Sequence, residues 1–204
     1  MRSLAGPARR LAGALGGSHG RSWDMVTDRL QLIPATVALC EAEMRGPAAV
    51  STVLQATVPQ GWPPPVFEPD DIARVRRQLA AAPSSSQWTL YYILRQPVTD
   101  GERSALVGIA GYVNPPTDDG VVEIGYAIAA EYQRRGYATE AVAALLARAF
   151  ADCGVRVVVA TTYSTLLPSI KVLQKLGFVE VSRNPTTNLV HFECRPSTFG
   201  SPAA

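Results

Sequence analysis

Two places in this sequence hold side chains suited to chemistry: the hexapeptide Gln133-Arg134-Arg135-Gly136-Tyr137-Ala138 and, a short way before it, Glu123. The hexapeptide lies between a strand-like run and a helical stripe. Such a junction aims several unpaired backbone N–H groups at one point, and the helix dipole adds positive potential there. Gly136 lets the main chain approach a ligand closely because it has no Cβ. Arg134 and Arg135 add charge beside it, and a pyrophosphate suits the turn. Thr139 supplies either a hydroxyl to the same phosphates or a cap to the helix. Read alone, the string is more often an ordinary helix start with surface arginines. Other phosphate loops are excluded: no glycine-rich loop ends in a Walker lysine, and no GxGxxG opens the first βαβ unit.

Glu123 belongs to the run Val121–Ala129. Period-two alternation puts Val122, Ile124, Tyr126 and Ile128 on one face and Glu123, Gly125 and Ala127 on the other. The bulky face is expected to pack on the core. The second pairs a carboxylate with very small neighbours and leaves room for something that is not a side chain. A solvated carboxylate on an open sheet face fits the spacing equally well. Glu140, on the first turn of a helix, suits a dipole or salt-bridge role. Cys153 is read as a buried small residue and His191, between Val190 and Phe192, as structural.

The elements around these residues follow from local pattern. Leu30–Ile33 is a short strand ended by Pro34, followed by helical stretches from Thr36 to Met44, Pro47 to Gln55 and Asp70 to Ala82. Trp62, Pro63-Pro64-Pro65 and Phe67 form an irregular stretch, read either as a lid or as a rigid loop over a hydrophobic edge. Trp88–Leu94, Ala105–Val113 and Val121–Ala129 make an antiparallel meander. A helix to about Asp152 then shows the stripe Val142, Leu145, Leu146, Ala149, Phe150. Val155–Thr161 completes a βαβ unit, a helix runs from Leu166 to Leu176 with Gly177 as its cap, and Phe178–Arg183 pairs with Leu189–Arg195.

The chain has 204 residues and 47% hydrophobic content, enough for one core. No apolar run approaches the roughly 20 residues that cross a bilayer, so no membrane association is expected. Arg2, Arg9, Arg10 and Arg21 against Asp24 give residues 1–24 a charge of +3, leaving the remainder of the formal +2 chain at −1. The body is thus no bulk nucleic-acid binder. Residues 1–24 read as a disordered leader, with Met25 as the expected true start, 25–196 as one domain and 197–204 as a flexible tail. Cys40, Cys153 and Cys194 form no CxxC pair, and His19 and His191 are the only histidines. A disulfide framework and a metal centre are both unsupported, and a cytoplasmic location is expected.

Taken together, Thr27-Asp28-Arg29-Leu30, Glu123-Ile124-Gly125-Tyr126, Gln133–Ala138 with Thr139-Glu140-Ala141, and Ser169-Ile170-Lys171-Val172-Leu173-Gln174-Lys175-Leu176-Gly177-Phe178 resemble the GNAT acetyltransferase superfamily. They are similar in particular to the branch that includes the bacterial ribosomal-protein N-terminal acetyltransferases, over about residues 27–195. The resemblance implies an α/β (α+β) fold: a mixed, mostly antiparallel sheet of six to seven strands with about four helices. The sheet would splay between Val121–Ala129 and Val155–Thr161. The expected activity is transfer of an acetyl group from acetyl-CoA, without a metal, to a primary amine on a protein N-terminus or a small molecule. The expected assembly is a monomer or homodimer. The resemblance implies a pantetheine arm paired with backbone near Tyr126, Ala127 and Ile128, and a pyrophosphate on backbone from Arg134 to Thr139, with Gln133 opening the motif. It places Ser169 near the thioester. Amines need deprotonation before attack, which makes Glu123 the candidate base, through a water. A backbone N–H freed by the splay would serve the oxyanion. Ser169 is the candidate acid or water-holder, ahead of Tyr163 and Ser164. Leu166 stands where the family usually has asparagine, and Leu173 where many members place a tyrosine acid. Those two departures allow a second class of function, a non-catalytic acyl-CoA-binding module.

Overall fold

The computed structural model describes residues 24–65, 69–83 and 87–200. The leader, except Asp24, and Phe67 of the irregular stretch lie outside the described residues. Eight strands form one sheet: β1 (Met25–Val26), β2 (Leu30–Pro34), β3 (Leu90–Arg95), β4 (Ala105–Tyr112), β5 (Val121–Ile128), β6 (Val157–Tyr163), β7 (Val179–Asn184) and β8 (Leu189–Cys194). Their order is β1-β2-β3-β4-β5-β6-β8-β7. All neighbours are antiparallel except β5 and β6, the two arms of the βαβ unit. The strand beyond the predicted seven is the two-residue β1, too short for period-two alternation to reveal. Five helices accompany the sheet: α1 (Val37–Arg45), α2 (Pro47–Leu54), α3 (Pro69–Ala81), α4 (Tyr137–Phe150) and α5 (Leu167–Lys175). Thr36 caps α1 by accepting from the Leu39 N–H, and Gly46, at φ 108°, both ends α1 and starts α2.

The middle of the sheet, β3 and β4, is apolar on both sides and needs a helical layer on each. Along β3, Tyr91 and Ile93 enter the core beneath α4, with Val142, Leu145, Leu146 and Ala149 of its predicted stripe. Leu90, Tyr92 and Leu94 enter the opposite core, with Leu39, Val50, Ile72, Val75 and Leu79 of α1 to α3. β4 is buried along its whole length. On the α1–α3 side the core reaches Ala127 of β5 and includes nothing from β6, β7 or β8. The corresponding face of the last three strands is left open, and Thr161, Tyr163 and His191 are exposed on it. Beyond residue 196, Phe199 packs against the body, its ring centroid 5.9 Å from that of Phe150.

Candidate active site

β5 and β6 pair over only three residues, Val121 with Val157, Val122 with Val158 and Glu123 with Val159. Past Glu123, β5 continues along β4 to Ile128 while β6 continues along β8 to Tyr163. The predicted splay is therefore present, with Glu123 at its apex. The Glu123 carbonyl accepts from Val113, and the Ala129 N–H donates to Val107, both on the β4 side. Alternation then turns the N–H and C=O groups of Tyr126 and Ile128 the other way, into the gap. Those of Ala127 point to β4, so the implied pantetheine edge consists of Tyr126 and Ile128, and Ala127 is backbone-paired to Ile109. The Ile128 carbonyl also accepts from Gln133 Nε2 at 3.0 Å, which ties the first residue of the motif to the strand.

β5 also sorts its side chains by face. Val122 and Ile124 are buried, and Tyr126 and Ile128 pack against the α4 core. On the reverse face Glu123 is exposed, and a Cβ placed on Gly125 would meet no atom within 4 Å. Room was expected there, and Gly125 provides it. Ala127 does not, being covered by the α1–α3 layer.

A turn of 3₁₀ helix, Ala130–Tyr132, carries the chain from β5 to the motif. Arg134 (φ 58°) and Gly136 (φ 83°) both take the left-handed conformation, on either side of Arg135. Such alternation makes a concave nest of backbone N–H groups, the geometry that binds anions. Arg134 was not expected to be left-handed, since its side chain gives no sign of it. Gly136 is the N-cap of α4, and no side chain caps the helix. The N–H groups of Tyr137, Ala138 and Thr139 thus point out of its positive end with no intrahelical acceptor. Thr139 is not the cap. Tyr137 offers backbone only, for its ring is 7% exposed and belongs to the core. The side chain of Arg135 is used locally: Nη2 donates to the Glu131 carbonyl at 3.0 Å and Cζ stands 5.6 Å from the Tyr132 ring centroid. Arg134 is exposed.

Across the splay, Tyr126 Oη lies 2.9 Å from Ser169 Oγ and donates to the Ser169 carbonyl at 3.1 Å. Burial pushes the Tyr126 phenol up to about 12, against a smaller opposing effect of the Ser169 hydrogen bond. The phenol is therefore a neutral donor throughout the physiological range. The sequence alone suggested only a core role for the Tyr126 side chain; nothing local signals a partner 43 residues away. Ser169 lies in the first turn of α5, and its N–H donates to the Leu166 carbonyl. Leu166 itself is 43% exposed and acts through its main chain. Leu173, one turn on from Ser169, is buried to 1% and offers no proton.

On the open face, Thr161 Oγ1 reaches Glu123 Oε1 at 3.4 Å and His191 Nδ1 at 3.1 Å. His191 was expected to be structural; its ring is exposed and one hydroxyl removed from the candidate base. Thr161 was missed, because it sits within an otherwise apolar strand run. Tyr163 is exposed. Ser164, in the following loop, donates its N–H to the Asn188 carbonyl.

One expectation is overturned and two open alternatives resolve. Cys153 is exposed rather than buried, because α4 ends at Phe150 and Asp152 turns the chain outward by accepting the Gly154 N–H. Trp62 is a core residue and not part of a lid: it is 7% exposed, donates to Glu43 Oε1 at 2.6 Å and faces Tyr92. Glu140 takes the salt-bridge role, with Arg29. Among the described residues, no group of three or more His, Cys, Asp or Glu side chains is placed to hold a metal, and no helix is long and apolar enough to cross a membrane.

Comparison with known proteins agrees with this fold. A model of the Acetyltransferase (GNAT) domain matches residues 37–179. The uncharacterized N-acetyltransferase YjdG of Bacillus subtilis (strain 168) is 35% identical over 74 residues, 36% of this chain. That match takes in 44% of YjdG, so the chain spans less than half the length of this relative. Among solved structures, a RimL ribosomal L7/L12 alpha-N-protein acetyltransferase superposes with a TM-score of 0.60 at 14% identity, over 89% of this chain and 98% of that one. Mycobacterium smegmatis RimJ in complex with CoA-disulfide gives a TM-score of 0.56 at 20% identity, covering 82% of each chain. These two structures share the fold.

Proposed function

The chain belongs to the GNAT acetyltransferase domain family, and we propose that it moves an acetyl group from acetyl-CoA to a primary amine, on a protein N-terminus or a small molecule. The observation that carries this reading is the end of β5–β6 pairing at Glu123, with the free edge of β5 leading straight into the nest at Arg134–Gly136. A diphosphate fits the nest and helix end, because both offer N–H donors and positive potential and neither is closed by a side-chain cap. An extended amide-bearing arm fits the Tyr126 and Ile128 edge, which presents donors and acceptors at strand spacing. Acetyl-CoA supplies the activated acyl group.

The residues of this chain then divide the work by face. Glu123, on the open side, accepts the proton that the amine must lose, directly or through a water. Thr161 donates to its carboxylate and keeps it aimed into the splay. The Tyr126 N–H, turned into the gap, is a donor for negative charge developing on the carbonyl oxygen. Ser169 faces the same gap from α5. The single phenolic proton goes either to the Ser169 carbonyl or to Ser169 Oγ, and in the second arrangement the seryl proton is left free for the departing sulfur. Gly125 keeps the approach to Glu123 clear.

The likeness to RimL and RimJ, together with the lack of an acidic cluster among the described residues to mark a polyamine pocket, favours a peptide N-terminus or small amine as acceptor. A thiol-release assay with acetyl-CoA against N-terminal peptides and small amines tests the reading. Amine-dependent release supports it. Tight CoA binding without release for any amine would favour a non-catalytic binding module, and no CoA-dependent thermal shift would overturn both.

A further inference from the structure

We infer that Arg29 is a positioning residue for the phosphate turn, holding the Arg135–Gly136 peptide so that its N–H faces the ligand. The inference rests on the acetyl-CoA reading above.

Arg29 precedes β2, far from the motif in sequence, yet its guanidinium makes contacts on three sides of it. Nε and Nη2 donate to Glu140 Oε2 at 2.7 and 2.6 Å. Nη1 donates to the Arg135 carbonyl at 3.0 Å. Cζ lies 4.9 Å from the Tyr137 ring centroid. The anchor is itself fixed, because Glu140 Oε1 accepts from Thr27 Oγ1 at 2.5 Å and from the Arg29 N–H at 3.0 Å. Burial alone would raise the Glu140 carboxyl, but these hydrogen bonds and the guanidinium charge outweigh it and hold the group below the ordinary range. Glu140 is thus ionised at neutral pH, and the ion pair is fully formed.

The geometry of a trans peptide turns this tie into a device. Its carbonyl and the following N–H point in opposite directions. Drawing the Arg135 carbonyl toward Arg29 therefore turns the Gly136 N–H to the other side, into the nest. A Cβ on Gly136 would come within 3.2 Å of Arg29 Nη2, so the guanidinium packs directly behind the turn. Three of its five N–H donors are committed in this way, two to Glu140 and one to the backbone, which directs the guanidinium at the turn. Lysine cannot reproduce three directed donors on one plane.

Calorimetric titration of CoA into the wild type, Arg29→Met, Arg29→Lys and Glu140→Gln tests the role. Arg29→Met and Glu140→Gln are each expected to weaken binding about tenfold, the size of one charge-assisted contact, with Arg29→Lys failing to restore it. In turnover the loss should fall on KM for acetyl-CoA rather than on kcat. Unchanged Kd with a lowered melting temperature would reduce the tie to packing and overturn the inference. So would weakening by Arg29→Met alone, with Glu140→Gln binding as tightly as wild type or tighter, since a freed Arg29 would then be acting on the phosphate directly. Failure of the wild type to bind CoA would remove the acetyl-CoA reading itself and this inference with it.

Discussion

The Tyr126 hydroxyl and the Ser169 hydroxyl lie 2.9 Å apart, one carried by strand β5 and the other by the first turn of helix α5. They hold each other across the opening where the sheet separates. Replacing Ser169 with Ala removes the proton nearest the departing sulfur and is expected to lower kcat by about 10²-fold. Tyr126→Phe leaves the seryl hydroxyl but frees its position, for a smaller loss and a stability cost of about 1 kcal/mol. With the phenol pushed up to about 12, no falling limb from Tyr126 should enter the pH–rate profile below about pH 11. Steady-state profiles of both variants check this.

Glu123→Gln keeps the size and the hydrogen bond from Thr161 but cannot accept a proton. A fall in kcat of about 10²-fold is expected, with little change in KM for acetyl-CoA. Thr161→Val should lower kcat by a few-fold, since it loosens the carboxylate without removing it. Full activity in Glu123→Gln would take the base role from this residue.

Gly125 separates stability from function. It lies in mid-strand, where glycine costs roughly 0.5–1 kcal/mol relative to alanine. A Cβ there meets nothing in the protein. Gly125→Ala should therefore melt no lower than wild type, while Gly125→Val, which intrudes on the approach to Glu123, should raise the KM for the amine. A thermal melt beside a Michaelis curve reads both.

Gly136→Ala should behave in the opposite way. At φ 83° an alanine carries a strain of about 1–2 kcal/mol, and relieving it by turning the peptide would spoil the nest. Both melting temperature and CoA affinity are expected to fall.

Glu43 gives a dependence on pH. Its Oε1 accepts from Trp62, the buried Tyr92 hydroxyl stands beside it, and burial raises its carboxyl above the ordinary value despite the hydrogen bonds from Trp62 and Tyr92. A folded-state value above the unfolded one means the folded protein binds the extra proton, so stability declines as pH rises through that window, from about pH 4.3 upward. Glu43→Gln retains an acceptor for Trp62 without a charge. It should raise the melting temperature at pH 7 and flatten the decline, as seen in melts across pH.

Much of the site could be read before the structure because its signals are local. Gly136 at the head of an amphipathic stripe, and the alternation that separates Glu123 from Ile124, are properties of neighbouring residues. The splay itself was implied by family resemblance and not by any periodicity. What stayed hidden depends on distant partners: Tyr126 looked like core until its hydroxyl met Ser169, and Trp62 stood between a lid and a rigid loop over a hydrophobic edge until Glu43 and Tyr92 fixed it in the core. Arg134 shows a further limit, since a left-handed arginine is imposed by the turn around it. Cys153 was misplaced because the helix before it stops at Phe150, where its apolar stripe ends, short of the expected Asp152.

The three residue pairs from Val121–Val157 to Glu123–Val159 are the whole seam between a five-stranded and a three-stranded half of the sheet. An arm lying along Tyr126 and Ile128 would act as mortar in that joint, lengthening the bonded seam and shielding amides that water otherwise reaches. Occupancy of the gap would then register as rigidity: slower proton exchange at those two positions, and a molecule whose halves resist being pulled apart.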